Sequence, residues 1–348
     1  MSNPDLNDVK LSCRGLWKVY GADASRFFED GDKSHDPAVL VSQMRDENYI
    51  PAAADVSFDV HTGEIFVIMG LSGSGKSTVV RCLSRLVEPT CGEILMDGEN
   101  LLAKTNAELI EIRRHKMGMV FQNFGLLPHL TVHENIVLPL KLQGLSKEKC
   151  RSQVAYVIEL VGLQGREESY PRELSGGQQQ RVGIARSLAV EPELWFLDEP
   201  FSALDPLIRR QMQDEFLRIQ QALKKSIVFI THDFLEALRL ADRMMIMREG
   251  QVVQVGTPTD LVLNPADDYV AEFTSDVPLA RVLVAGDIAQ PRSQSVENFP
   301  RAKAATSIEA LLSELVNHVD GIAIETEGGD IIGVVNAQGI VAALAKQT

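Results

Sequence analysis

The sequence predicts an α/β protein built on a largely parallel β-sheet. Three short apolar runs, at residues 64–69, 193–197 and 226–231, have the length and composition of buried strands, and helical patterns lie between them. Strands that alternate with helices are joined by right-handed crossovers, which makes neighbouring strands parallel. Because ligands of such sheets bind at the carboxyl ends of the strands, the residues that follow these runs are the candidates for function.

The composition argues against several classes of protein. The chain has 348 residues, of which 45% are hydrophobic and 24% charged, which is enough for a large domain and a smaller one. A net charge of −14 argues against a general nucleic-acid binder. No segment approaches the roughly 18 apolar residues of a membrane span, and the first residues lack the features of a signal peptide, so we expect any membrane role to come through a partner. Four widely spaced cysteines are expected to be reduced thiols of a cytosolic protein: Cys13, Cys82, Cys91 and Cys150.

The chain begins with a strand and a broken polar segment. Residues 10–16 have a strand pattern, and the aromatic side chains of Trp17 and Tyr20 that follow could stack on an adenine ring or lie half-buried in the strand. Residues 22–54 are polar and interrupted, and a short helix is expected at residues 37–44. Strand signals resume at residues 56–60, and a turn then leads into the apolar run at residues 64–69.

A glycine-rich loop follows this strand and opens a helix. Strand, glycine loop and helix in this order form a phosphate-binding P-loop, because the glycines let successive backbone N–H groups point at an anion held at the helix N-terminus. Lys76 adds a positive charge for the β- and γ-phosphates, and the Ser77 hydroxyl is placed to ligate Mg²⁺. We therefore expect a nucleotide to be bound by Gly70, Ser72, Gly73, Ser74, Gly75, Lys76, Ser77 and Thr78.

The middle of the chain combines two further strands with a long helical stretch. Residues 92–98 indicate a short strand and turn, and residues 117–122 indicate a strand that ends at Gln122. Residues 131–163 are expected to be helical, with interruptions at Pro139 and at residues 144–146. A further helix is expected to follow residues 174–178 and to end near residue 190.

Polar side chains at strand ends are suited to hydrolysis of a phosphoanhydride, which needs a phosphate cradle, a metal and a group that orients water. Asp198 follows a buried strand and is suited to bind Mg²⁺ directly or through water, and Glu199 beside it is suited to polarise the water. His232 ends the run at residues 226–231 and could reach a γ-phosphate. Gln122 offers an amide to the metal or to water.

A second glycine-containing helix start lies at residues 174–178. Its two glycines precede a helix, so it could bind an anion as the P-loop does. Because one P-loop already encloses the nucleotide, we expect this second site to be used by another copy of the chain.

The last part of the chain changes character after about residue 276. Helical patterns at residues 306–319 and 337–346 enclose two strand patterns, at residues 321–326 and 331–335. This order predicts a separate small α-β-β-α unit.

These motifs, in this order, resemble those of the ATP-binding subunit of an ABC transporter, and the resemblance covers about residues 9–275. It implies that residues 70–78 are the phosphate loop and that residues 174–178 are the family's signature motif. Asp198 would be the metal-associated acid, Glu199 the general base and His232 the switch that senses the γ-phosphate.

Three further positions take their roles from the same resemblance. Gln122 would open the loop that contacts the membrane subunit, and Tyr20 matches the aromatic residue that stacks on adenine. Asp205 belongs to a segment, residues 202–205, that would communicate across the dimer.

The resemblance implies an α/β P-loop ATPase of ABC type that acts as a head-to-tail homodimer with ATP and Mg²⁺. Two ATP molecules would lie between the phosphate loop of one subunit and the signature of the other, namely Ser175, Gly176, Gly177 and Gln178. Hydrolysis would drive integral membrane permease subunits, served indirectly by a periplasmic solute-binding protein. The chain would be peripheral, at the cytoplasmic face of the bacterial inner membrane, and no nucleic-acid partner is expected.

The expected domain organisation follows from these assignments. Residues 1–275 would form the ATPase domain, with a helical subdomain at about residues 123–190 and an insertion at about residues 22–54. Residues 276–305 would be a linker, and residues 306–348 a single small α+β unit of CBS-like type.

Residues 66–78 and 201–215, together with the long segment between Tyr20 and Val56, are similar to the ATPases of glycine betaine/proline importers. This similarity implies the import of a compatible solute such as glycine betaine, proline or choline. In that subfamily the C-terminal region carries paired CBS units, which sense ionic strength or a nucleotide. Only one such unit is plain in this chain. The C-terminal region could therefore serve dimerisation or packing and not sensing.

Three alternatives remain compatible with the sequence. The chain could energise an importer of another small solute such as an amino acid, or act as a soluble ABC ATPase on DNA or the ribosome. Against the latter, the sequence has no coiled-coil insertion and no basic excess, and residues 124–135 offer an apolar surface suited to a helix of a membrane partner. A regulatory protein without turnover is disfavoured because Glu199 and His232 are both present.

Overall fold

A computed structural model describes residues 9–28, 36–122, 125–275, 277–291, 299–318, 320–326 and 328–344. The chain divides into two compact units, Met1–Val255 and Gly256–Thr348. The first unit thus ends earlier than residue 275, where the sequence placed the end of the ATPase domain. Parts of the expected insertion, helical subdomain, linker and C-terminal unit lie outside the described residues, namely 29–35, 123–124, 276, 292–298, 319, 327 and 345–348.

The first unit contains ten strands and eight α-helices within its described residues. The strands are β1 (Val9–Tyr20), β2 (Ile50–His61), β3 (Ile65–Met69), β4 (Cys91–Met96), β5 (Glu99–Asn100), β6 (Met117–Val120), β7 (Leu194–Asp198), β8 (Ser226–Ile230), β9 (Arg243–Arg248) and β10 (Gln251–Gly256). The helices are α1 (Pro37–Asp46), α2 (Lys76–Leu83), α3 (Asn106–His115), α4 (Val132–Leu142), α5 (Lys147–Leu160), α6 (Gly176–Leu188), α7 (Pro206–Leu223) and α8 (Phe234–Leu240).

The main sheet confirms the predicted parallel α/β architecture. Its strand order is β10-β9-β3-β8-β7-β6, and all neighbours from β9 to β6 run parallel. β3, β7 and β8 are buried along their whole length, as expected for continuous apolar strands covered on both faces. Ile230 is the register partner of both Ile68 and Asp198, so these three strands end side by side. The glycine loop and the acidic pair therefore emerge at one edge of the sheet.

A second sheet, of order β2-β1-β4-β5, is antiparallel. It shares a core with the main sheet, in which the rings of Phe58 and Phe66 stack at 4.9 Å. The segment between β1 and β2 holds the expected short helix as α1, which is capped by the Asp36 carboxylate. The segment adds a small aromatic core of its own, in which Trp17 packs 5.4 Å from Phe28. Because Tyr20 pairs with Ile50, the segment leaves and re-enters the sheet at neighbouring positions.

Helices α4, α5 and α6 pack against one another beside the main sheet. The expected break at Pro139 is wrong, because Pro139 lies inside α4. It begins the last turn, where its missing N–H removes one backbone hydrogen bond, while the Thr131–Glu134 capping box and the buried Ile136 stabilise the helix. The second expected break, at residues 144–146, is confirmed: α4 ends at Leu142, α5 begins at Lys147, and Gly144 between them has a left-handed φ of 75°.

The second unit has a three-stranded sheet of order β11-β12-β13, in which β11 is parallel and β13 antiparallel to β12. The expected helix-strand-strand-helix order is present, and β11 precedes it, which gives a β-α-β-β-α unit consistent with the CBS-like type. The elements are α9 (Pro258–Leu263), α10 (Asp268–Thr274), α11 (Leu279–Val282), α12 (Ala285–Ile288), β11 (Arg301–Lys303), α13 (Ile308–Leu315), β12 (Ile322–Glu325), β13 (Ile331–Val335) and α14 (Ala337–Leu344).

The segment expected to be a linker is partly core. Leu279, Leu283 and Ala285 are buried in the same cluster as Ile308 and Ile322. Because α11 and α12 have four residues each, they are too short to show a helical period in the sequence. Among the described residues, no helix is long and apolar enough to cross a membrane.

Candidate active site

The glycine loop between β3 and α2 is held by close backbone contacts. Gly70 and Gly75 have left-handed φ values of 148° and 99°. A Cβ atom on Gly70 would lie 2.3 Å from the Met247 carbonyl oxygen, and one on Gly75 would lie 2.1 Å from the Ala52 carbonyl oxygen. Glycine is therefore required at both positions by conformation and by space.

A turn at residues 249–250 supports the loop from the other side. The Gly250 N–H donates to the Ser74 carbonyl at 3.1 Å. Arg45, on α1, reaches this turn with its Nη1 atom 2.7 Å from Glu249 Oε2. Nothing in the sequence marks Arg45, Ala52 or Gly250 as part of this site, because their contacts depend on the packing of distant segments.

Lys76 opens α2, and its side chain folds back over the loop. Its Nζ atom donates to the carbonyl oxygens of Gly70 at 2.8 Å and Leu71 at 2.9 Å. Burial lowers the pKa of the ammonium group, and the negative charges of Glu199 and Asp198 oppose that shift. An ammonium and the backbone N–H groups at the start of a helix are donors of the kind that bind an anion.

Ser77 and Asp198 bring two oxygen atoms together beside the loop. The Ser77 hydroxyl donates to Asp198 Oδ1 at 3.0 Å. Asp198 is buried, which raises the pKa of its carboxyl, while the hydrogen bond from Ser77 opposes the shift. A hydroxyl and a carboxylate are the oxygen ligands that suit Mg²⁺, so the residues present fit that ion.

Glu199 lies between the ends of three parallel strands. Its Oε2 atom is 3.3 Å from Gln122 Nε2 and 3.3 Å from His232 Nδ1. The Glu199 backbone has a left-handed φ of 45°, and its N–H donates to the Ile230 carbonyl at 3.1 Å. The three residues that the sequence assigned to catalysis are therefore neighbours, and their side chains can meet one phosphate group.

Two aromatic residues were candidates for stacking on adenine, and the structure separates them. Trp17 is 6% exposed and belongs to the aromatic core under α1. Tyr20 is 43% exposed, and Lys18 Nζ lies 4.9 Å from the centre of its ring. Tyr20 pairs with Ile50, two residues before the Ala52 carbonyl that abuts the glycine loop. The Tyr20 ring is therefore open to a ligand and the Trp17 ring is not, and stacking of Tyr20 on adenine stays a prediction.

The second glycine motif forms the start of α6. Ser175 accepts from the Gln178 N–H at 3.3 Å, and Gln178 Oε1 accepts from the Ser175 N–H at 3.0 Å. Ser175 and Gly176 are exposed. Among the described residues, no hydrogen bond joins this motif to the glycine loop of the same chain.

Gly177 packs against the start of α7. A Cβ atom on Gly177 would lie 2.7 Å from Ile208 Cγ2. Asp205 caps α7 by accepting from the Ile208 N–H at 3.1 Å. Arg209, one residue further, was not predicted from the sequence. It contacts both the segment after Glu199 and the segment after His232. Its position four residues after a helix-capping Asp was the one available signal.

Comparisons with known proteins agree on one family. The family model described as "ABC transporter" matches residues 53–202. The trimethylamine N-oxide transport system ATP-binding protein of Ruegeria pomeroyi is 52% identical over 336 residues, which is 97% of each chain, and the protein of the same name from Pelagibacter ubique is 48% identical over 337 residues, again 97% of each. The glycine betaine/proline betaine transport system ATP-binding protein of Escherichia coli is 42% identical over 341 residues, 97% of this chain and 84% of that protein.

A solved structure gives the same result at the level of the fold. An ATP-binding cassette captured as a dimer in a post-hydrolysis state with ADP and phosphate is 30% identical, with a TM-score of 0.59. The match covers 71% of this chain and 98% of that structure.

Proposed function

The chain belongs to the ATP-binding subunits of ABC transporters, and we propose that it powers the import of a small methylated amine such as glycine betaine or trimethylamine N-oxide. The family hydrolyses ATP and couples the reaction to transport. The similarity to relatives named for these solutes extends over 97% of this chain and so supports the same class of solute here. Choline, which is also a methylated amine, belongs to the same proposal, and proline is kept beside it as a compatible solute without methyl groups.

The cluster around Glu199 supports turnover most directly. Glu199 would take a proton from the attacking water, because its carboxylate is the acceptor placed between the strand ends. Gln122 and His232 would orient that carboxylate and the terminal phosphate. The glycine loop and Lys76 would hold the remaining phosphates.

Ser77 and Asp198 would hold Mg²⁺. The ion would neutralise part of the phosphate charge. The buried position of Asp198 beside the start of α2 fits that role.

A complete site would need two copies of the chain. Ser175 and Gly176 are exposed and Gln178 is half-buried, whereas Gly177 is buried against Ile208. The side chains of Ser175 and Gln178 each accept a hydrogen bond from the backbone N–H of the other residue. A second copy, arranged head to tail, would bring these groups to the nucleotide on the first, and Asp205 would lie near the junction. The solved dimer of a related cassette is consistent with such a pairing.

The partners and location follow from the same proposal. Two such subunits would bind permease subunits at the cytoplasmic face of a bacterial inner membrane, with contact near Gln122, and a periplasmic solute-binding protein would deliver the solute. The C-terminal unit would pair with its copy, either to sense ionic strength or a nucleotide or simply to strengthen the dimer.

The test is uptake by the chain assembled with its permease in vesicles. Glycine betaine, trimethylamine N-oxide, proline and choline are offered in competition with one another, and an acidic amino acid serves as the control solute. The proposal predicts ATP-dependent uptake of at least one methylated amine and none without ATP. Uptake of the amino acid alone would contradict the choice of solute, and ATP hydrolysis stimulated by DNA but by no solute would contradict a role in transport.

A further inference from the structure

Arg209, in the first turn of α7, binds the segment that follows Glu199. Its Nε atom donates to the Phe201 carbonyl at 3.2 Å. Its Nη2 atom donates to the carbonyl oxygens of Leu204 at 3.2 Å and Ser202 at 3.5 Å. One guanidinium therefore holds three carbonyls of a single turn, which the five fixed donors of arginine allow and the point charge of lysine does not.

The same guanidinium also reaches the segment that follows His232. Its Nη1 atom lies 3.6 Å from Asp233 Oδ2. Asp233 caps α8 by accepting from the Glu236 N–H at 3.2 Å, and its own N–H donates to Thr231 Oγ1 at 3.0 Å. Because Asp233 is fixed at both ends, its position determines where the adjacent His232 lies.

Arg209 thus bridges two strand ends that each carry a functional side chain. Glu199 and His232 meet at 3.3 Å, and a narrow cleft lined by Arg209 and Asp233 separates the segments behind them. The side chains of Arg209 and Asp233 are 29% and 35% exposed, so water screens the ion pair only in part. The three hydrogen bonds to carbonyls give the arrangement its geometry.

We propose that Arg209 is a positioning residue. It fixes the turn after Glu199 against the turn after His232, so that the side chains of Glu199 and His232 face the same phosphate. This inference rests on the proposed hydrolytic role of Glu199. Arg209 touches neither the glycine loop nor the nucleotide-binding groups of α2 among the described contacts, so it acts on turnover and not on affinity for ATP.

The position of Arg209 also connects this bridge to the start of α6. Ile208, the preceding residue, lies where a Cβ atom on Gly177 would be 2.7 Å away. The start of α6 therefore packs on the same turn of α7 that carries Arg209.

The experiment compares steady-state ATP hydrolysis by the full chain and its variants. Arg209→Lys keeps the positive charge but loses the fixed N–H donors of the guanidinium. We expect kcat to fall about 10-fold to 100-fold, with KM for ATP within about twofold of the wild-type value. Arg209→Gln should show the same pattern. Arg210→Ala is the matched control, because Arg210 is an exposed arginine on the next position of the same helix.

A double-mutant cycle separates positioning from general stability. Asp233→Asn keeps the helix cap and removes the charge. The fold-loss of kcat in the double variant, Arg209→Lys with Asp233→Asn, should be smaller than the product of the fold-losses in the two single variants. Unchanged kcat in Arg209→Lys, losses that multiply, or a rise of KM equal to the fall of kcat would each overturn the inference. Absence of hydrolysis in the wild type and in Arg210→Ala would instead refute the proposed function.

Discussion

Glu199→Gln is the most direct test of how the chain hydrolyses ATP. The amide has the shape of the carboxylate but cannot accept the proton of the attacking water. It can still accept from Gln122 Nε2, which lies 3.3 Å from the present Oε2 atom. Glutamine also adopts the φ of 45° at this position no worse than glutamate does. We therefore expect the variant to fold and to keep the geometry of the strand ends.

The expected magnitude follows from the role given to the carboxylate. Loss of a general base lowers a rate by about 10²-fold to 10⁴-fold, which corresponds to about 3–5 kcal/mol of transition-state stabilisation. Affinity for ATP should be unchanged or higher. Among the described residues, no hydrogen bond joins the Glu199 side chain to the glycine loop. Its negative charge acts on Lys76, so removal of that charge reduces repulsion of the phosphates. ATP should therefore hold the variant as a dimer.

The assay combines phosphate release, nucleotide binding and size-exclusion chromatography with ATP. Glu191→Gln is the matched control, because it makes the same substitution at another residue with a left-handed φ, here 52°. Like Glu199, Glu191 also accepts a hydrogen bond from a glutamine, Gln153. The control should keep its wild-type rate. Phosphate release by Glu199→Gln at the wild-type rate would refute the assignment of Glu199 as the general base. If Glu199→Gln remained a monomer in the presence of ATP, the expected head-to-tail dimer with ATP between its subunits would be refuted.

Three further predictions concern the pocket and its surroundings. Gly75→Ala should lower affinity for ATP more than 10-fold in an equilibrium binding assay, because its Cβ would lie 2.1 Å from the Ala52 carbonyl oxygen. Gly73→Ala should lower the affinity less, because its Cβ would meet no atom within 4 Å. Tyr20→Ala should weaken binding by about 1–3 kcal/mol, and Tyr20→Phe should not, if the ring stacks on adenine; equal losses in a calorimetric titration would exclude stacking. Burial raises the pKa of Glu236, so the folded chain holds that proton more tightly than the unfolded chain, and stability is gained as the pH falls through the raised pKa. Glu236→Gln should therefore unfold at higher urea concentration than the wild type at about pH 7, and the difference should disappear near pH 4, where both side chains are neutral.

The strand ends could be predicted from the sequence because each motif is local. The run that ends at Met69 is followed at once by the glycine loop, and the run that ends at Leu197 is followed by its two acids. Parallel strands bring such ends together whatever the order of the strands. This explains why Asp198, Glu199 and His232 could be placed near the loop without a structure.

Other features depend on contacts between distant segments and left no local pattern. The choice between Trp17 and Tyr20 required knowledge of which side chain α1 covers. β11 has three residues, and its pairing with β12 defines it more than its sequence does. Arg209 is recognised only when the carbonyls of residues 201–204 and the Asp233 carboxylate are seen around it.

The excursion between β1 and β2 has a consequence for the divergence of related ATPases. Since Tyr20 and Ile50 are register partners, a loop of any length can be grafted between them without shifting the sheet. The graft is not neutral, however, because Arg45 on this excursion holds Glu249, whose turn supports Ser74. Chimeras that exchange the segment between β1 and β2 would keep their strand pairing. Each donor segment would, however, need a cation opposite Glu249 to preserve the support of the glycine loop that binds phosphate.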